Sequence, residues 1–104
     1  NTVKVEWRKL RDKYSLNSEA AWLNFLMNRE GSNNPDCWDG SYRYNPALLL
    51  YEKIHLDYGS PKVVNWRVNS AIVGWKTAFE VEFGKTTTEW YSTSAIPYII
   101  DQIK

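Results

Sequence analysis

The hydrophobic period of this chain changes at Pro61, and that change governs which folds the sequence permits. Before it, Ala47, Leu50, Tyr51, Ile54 and Tyr58 recur at i, i+3, i+4 and i+7, the spacing of one apolar helix face. Asn45 offers an N-cap, and Pro46 stands at the first helical position, where a missing N–H costs nothing. "YGSP" closes the segment. After Pro61, "KVVNWRV" sets Val64, Trp66 and Val68 on one side of an extended chain, with Arg67 and Asn69 on the polar side. "AFEVEF" alternates more cleanly, Phe79, Val81 and Phe83 against Glu80 and Glu82. A turn at Gly84-Lys85 leads into "TTTEWYS", β-branched and aromatic, as a hairpin partner. Thr93 or Ser94 caps a last helix with Pro97 in its first turn and Ile99, Ile100 and Ile103 apolar.

Residues 45–104 therefore read as an α-β-β-β-α unit of the α+β class with a three-stranded antiparallel sheet. Its expected core is Leu50, Ile54, Trp66, Phe79, Val81, Phe83 and Ile100. A second reading stays open. Ile72, Trp75 and Phe79 also fit helical spacing, and a helix over 71–83 makes the domain all-α.

Residues 1–44 read as a helical extension that packs on this unit. Val3, Val5 and Trp7 alternate as in a strand, but Trp7, Leu10 and Tyr14 fit a helix from about Glu6, which is preferred. Asn17 or Ser18 caps "EAAWLNFLMNRE", whose Ala21, Trp22, Phe25 and Leu26 form one stripe, and Gly31 ends it. "GSNNPDCWDG" has the composition of a connecting loop. Six Trp, seven Tyr and three Phe in 104 residues assign much of the packing to aromatic rings.

Net charge is +1, which excludes a strongly basic nucleic-acid coat and an acidic tail. Residues 1–16 carry a net +3 from Lys4, Arg8, Lys9, Arg11 and Lys13 against Glu6 and Asp12, a short basic arm within reach of phosphates. Cys37 alone cannot form an internal disulfide, and no run approaches a membrane span, so an intracellular setting (nucleus or cytoplasm) without membrane contact is expected. Catalysis is not expected. His55 and Cys37 are the only histidine and thiol, no nucleophile motif surrounds either, and they cannot by themselves complete a zinc site. The acidic spacing of "NNPDCWDG" misses the EF-hand pattern. No cofactor and no small-molecule substrate is implied.

The spacing from residue 45 resembles the double-stranded-RNA-binding domain family (dsRBD). Asn45, Pro46, Leu49, Leu50 and Glu52 match the opening of its first helix, and Pro61 stands where a proline often precedes strand one. Phe79, Val81, Phe83 and Gly84 match strand two, and Ser92, Thr93 and Ser94 the turn before the last helix. The resemblance implies an RNA-processing context, with duplex RNA read by shape through minor-groove hydroxyls and phosphates. The family's Lys-Lys-x-Ala-Lys is replaced here by Ala95, Ile96, Pro97, Tyr98 and Ile99, and no histidine falls in "NSAIVG". An apolar patch in place of a cationic one fits a protein partner better than a phosphate backbone. The expected function is thus protein–protein interaction, by dimerisation or by docking to an RNA-processing partner, through Trp90, Tyr91, Ala95, Ile96 and Tyr98. Binding of structured or duplex RNA through Lys4, Arg8, Lys9, Arg11, Lys13 and Glu52 is the alternative.

Overall fold

Helices account for the regular structure throughout residues 2–30 and 47–104, which the computed structural model describes. They are α1 (Thr2–Lys13), α2 (Glu19–Asn28), α3 (Ala47–Tyr58), α4 (Ser60–Val73), α5 (Trp75–Phe83), α6 (Thr87–Trp90), a π-helical segment (Tyr91–Ala95) and α7 (Ile96–Gln102). No β-strand occurs among the described residues, so the α+β class, the three-stranded sheet and the dsRBD resemblance are all overturned. All three expected strands are helical: "KVVNWRV" belongs to α4, "AFEVEF" to α5, and "TTTEWYS" to α6 and the π-helical segment. Asn45, Pro46 and the loop "GSNNPDCWDG" lie outside the described residues.

The physical reason for the correction lies in short windows that satisfy two periods. Phe79 and Phe83 share a face at spacing four in a helix, just as they do in a strand, but Val81 distinguishes the two. In α5 Phe79 is fully buried and Phe83 nearly so, whereas Val81 points outward, 77% exposed. Trp66 shows the same thing in α4, buried together with Val63 while Val64 and Val68 face solvent. Of the expected core, Leu50, Ile54, Trp66, Phe79 and Phe83 are buried, Ile100 is partly so, and Val81 is outside.

Local signals account for the helix ends. Leu16 N–H donates to the Arg11 carbonyl across 2.9 Å with Ser15 in the left-handed region at φ 53°, a Schellman stop to α1 that also buries Leu16. Ser18 Oγ accepts from the Ala21 N–H at 3.1 Å and starts α2. Gly74 is the single residue between α4 and α5, at φ 89° and ψ 150°, a conformation that side chains with a Cβ rarely adopt. There the chain doubles back. Trp66 of α4 meets Phe79 edge-on at 5.5 Å and Phe83 at 5.6 Å, and its indole N–H donates to the Trp75 carbonyl at 2.9 Å.

Thr93 and Ser94, expected as the cap of the last helix, lie inside a helix that runs on from Thr87. The cap is Thr86, whose hydroxyl accepts from the Glu89 N–H at 3.1 Å. One core joins these helices: Trp7 of α1 and Trp22 of α2 belong to the same buried cluster as Ile54, Trp66, Phe79, Trp90 and Ile99.

Candidate interaction surface

The α4–α5 hairpin carries most of the large apolar side chains that packing leaves exposed among the described residues. Only Val63 and Trp66 of the fourteen α4 residues are buried. On the opposite side Val64, Val68 and Ile72 are 59%, 61% and 76% exposed. Their spacing of four places them one above another along the helix, each about 6 Å from the next. Pro61 and Ala71 are exposed as well, and helical geometry puts them beside that stripe. The helix is therefore apolar on two faces, of which the core covers one.

The charges of α4 are Lys62 and Arg67, and no carboxylate occurs from Ser60 to Val73. Arg67 reaches across to α3, where its guanidinium lies 5.6 Å from the Tyr51 ring centre and donates to the Tyr51 hydroxyl. Lys62 is exposed. The arrangement offers a branched-aliphatic ridge on a helix whose own charged residues are both cations.

The residues expected to bind protein lie elsewhere. Trp90, Tyr91, Ala95 and Ile96 are all within 1% of complete burial, so core packing accounts for their apolar character; Tyr98 is half-buried. Carboxylates hold the polar tips of the three aromatic side chains. Tyr91 OH donates to Glu30 Oε2 at 2.6 Å, alongside Thr87 Oγ1 at 3.0 Å, while Lys76 pairs with the other Glu30 oxygen at 3.2 Å. Trp90 Nε1 donates to Asp57 Oδ2 at 3.0 Å, Ser94 Oγ donates to the same oxygen, and Lys53 pairs with Oδ1 at 2.9 Å. Tyr98 OH donates to Glu52 Oε2 at 2.7 Å. Glu30, just beyond α2, and Asp57 and Glu52 of α3 thus fasten the helix that runs on from Thr87 by three acid contacts, two of them at the core edge.

These contacts shift the ionisations. Burial raises the Asp57 pKa, but the hydrogen bonds from Ser94, Lys53 and Trp90 outweigh it and hold the carboxyl below its ordinary value. Burial first, then the hydrogen bond to Glu52, pushes the Tyr98 phenol up to about 12. Burial and the neighbouring Asp57 charge raise Tyr58.

The basic residues expected to meet RNA all lie on α1, and each of four has a neighbour. Arg8 Nε donates to the Ile103 carbonyl at 3.1 Å, Lys9 pairs with Glu6 at 3.5 Å, and Arg11 pairs with Asp12 at 3.1 Å. Lys13 sits 5.1 Å from the Tyr14 ring centre. Lys4 and Glu52 are brought together at a cleft of about 360 Å³ between α1, α3 and the chain end, with Leu48, Leu49 and Gln102. His55 is exposed on α3, its Nδ1 3.4 Å from Ser60 Oγ, and Cys37 lies outside the described residues. No group of three or more His, Cys, Asp or Glu among the described residues is placed to hold a metal ion. No helix among the described residues is long and apolar enough to cross a membrane.

Comparison with protein-family models, with curated proteins and with solved structures finds no match to this chain. Pro61 fits the position before a strand, and that fit conceals the α4 ridge in the sequence. Gly59-Ser60-Pro61 is equally a helix start, with proline in the first turn, and a helical reading of 60–73 puts Val64, Val68 and Ile72 in line at once.

Proposed function

We propose that this chain is a helical protein-interaction module that binds a protein partner through the outward face of α4, acting by association and not by catalysis. The observation that carries this reading is the uncovered ridge of Val64, Val68 and Ile72 on a helix that already buries Val63 and Trp66 on its other side. A solvated helix ordinarily turns polar residues outward, and a contiguous apolar stripe left in water is the usual mark of an interface. A single cysteine, with no internal disulfide available to it, supports an intracellular setting.

The test is site-specific photo-crosslinking in cells that express the protein. A photoreactive residue replaces Val68 in one variant and, as a control face, Asp12 of α1, whose side chain is 72% exposed, in another. A discrete crosslinked protein from position 68 and none from position 12 is expected. Equal, diffuse labelling from both positions refutes the assignment.

A further inference from the structure

Arg29 carries a charge that meets no counter-charge among the described residues. It follows directly on α2, half-buried, with its guanidinium carbon 4.8 Å from the Tyr14 ring centre and 5.1 Å from that of Phe25. Its side chain makes no hydrogen bond and no ion pair among the described residues. Nε is sealed from solvent without a partner, the single buried side-chain nitrogen or oxygen among the described residues in that condition. The two terminal nitrogens are therefore unbonded and open to solvent. We infer that Arg29 anchors a small-anion site, taking a carboxylate or a phosphate monoester on a short hydroxylated skeleton.

The dipole at the end of α2 favours a cation at this position, and a fully hydrated arginine would satisfy it. It does not call for a guanidinium held against two rings with one N–H desolvated. A buried donor without an acceptor is a cost, and native folds keep few of them. What the stack achieves is to fix the plane of the fork. An arginine already ordered loses less freedom on binding, and its two terminal nitrogens side by side match the paired oxygens of a carboxylate or phosphate.

The surroundings set the rest of the ligand. Arg29 lines a cleft of about 310 Å³ together with Tyr14, Asn24, Phe25 and Asn28. No carboxylate lines it among the described residues, so the negative charge comes with the ligand. Glu30, next in sequence, is committed elsewhere, one oxygen to Lys76 and the other to Thr87 and Tyr91, and Asp12 pairs with Arg11. Asn28 Nδ2 donates to Asn24 Oδ1 at 3.0 Å, which leaves Asn24 Nδ2 as a donor and Asn28 Oδ1 as an acceptor. A donor and an acceptor one helical turn apart suit hydroxyl groups, which both give and take hydrogen bonds. The volume admits about ten water-sized groups, so the ligand is a small molecule. The cleft shares no residue with the α4 ridge, and the two sites are independent.

The test is an NMR titration of the isotope-labelled full chain with glycerate, glycerol 3-phosphate and glycerol, a matched set that differs in the acid group. Saturable binding of at least one acid, with a Kd of about 1 mM or tighter, is expected. Shifts should appear at the Arg29 Nε–H and at the Asn24 and Asn28 side-chain amides, and glycerol should produce none. The tighter acid tells a carboxylate site from a phosphate site. Arg29→Lys keeps the charge, loses the fork and should weaken binding about tenfold. Lys9→Gln removes one charge from an exposed pair on α1 and should change it by less than about twofold. Failure of both acids to saturate below about 20 mM, an equal response to glycerol, or shifts confined to other residues overturns the inference. So does an equal loss in the two variants, the mark of unspecific charge attraction. The shift map is read on the parent protein, so it decides the question even where Arg29→Lys fails to fold.

Discussion

Replacing Gly74 with alanine isolates a backbone effect, because the added Cβ meets no atom within 4 Å. The cost then arises from the dihedral angles alone. At φ 89° and ψ 150° an L-residue sits in a region that only glycine populates freely, at about 1–3 kcal/mol of strain. Restricting the unfolded chain returns about 0.5–1 kcal/mol, leaving a net loss of about 1–2 kcal/mol. In a domain of this size that lowers Tm by about 5–15 °C, measurable by circular dichroism at 222 nm. Gly84 supplies an internal scale. It occupies the left-handed helical region at φ 75° and ψ 11°, also with nothing near its Cβ, and Gly84→Ala should cost less than Gly74→Ala. D-alanine at position 74, introduced by chemical synthesis, has the opposite preference and should leave Tm unchanged or raise it. A Gly74→Ala protein that melts at or above the parent temperature refutes the hairpin, since alanine at that point otherwise favours one continuous helix from Ser60 to Phe83.

Phe79→Ala should cost about 3–5 kcal/mol, because Phe79 is fully buried against Trp66, Phe83 and Trp90, while Val81→Ala should stay within about 0.5 kcal/mol; equal losses in urea melts refute the helical assignment of α5. Ser15→Gly should stabilise by about 0.5–1 kcal/mol by relieving the left-handed φ of 53°, and an unchanged or lower denaturation midpoint counts against the Schellman stop. The Asp57 pKa is lowered in the fold, so its contribution is present above the unfolded carboxylate pKa and is lost as pH falls through the folded value; Asp57→Asn should flatten that acid limb of a stability–pH profile. Tyr98 titrates at about 12 in the fold against 10.0 ordinarily, so the folded state holds its proton longer and stability falls as pH rises across that interval; Tyr98→Phe should weaken the fall, and an identical alkaline limb refutes the Glu52 contact.

Much of the helical half could be read before any coordinates. Ser18 as a cap, the Trp22–Leu26 stripe and the inward set of Ala47, Leu50, Tyr51 and Ile54 all come from side-chain chemistry within a few residues. The failure was concentrated in 62–94, where β-branched and aromatic residues are dense and the apolar spacing satisfies two periods at once. Phe79 and Phe83 share a face in either geometry. What separates the geometries is the middle residue, and Val81 or Val68 carries no mark of whether it faces a core or water. Tertiary packing decided it. Trp66 finds Phe79, Phe83 and Tyr51 around it only if the chain turns back at Gly74. The same ambiguity hid the α4 ridge and drew attention to Trp90 and Tyr91, whose partners Asp57 and Glu30 are distant in sequence.

The π-helical segment has a bearing on how the chain tolerates change in length. Thr87, Tyr91, Ala95, Ile99 and Ile103 are all buried, spaced by four throughout. In a pure α-helix each such step overshoots a full turn by about 40°, so the fifth residue would have drifted about 160° away from the first. Between Tyr91 and Ile96 the backbone instead closes across five residues, with the Ile96 N–H on the Tyr91 carbonyl, and the wider winding rotates the drift back. The segment works as a phase adjuster. Removing one residue there, Thr93 for instance, would turn the five-residue closure into an ordinary α turn, and the tighter winding gives back most of the rotation lost with the residue. Ile99 and Ile103 would then keep facing the interior, whereas the same deletion in an ordinary α-helical stretch would swing everything downstream by about 100°, so this segment is where the last helix can lose a residue and hold its inward face.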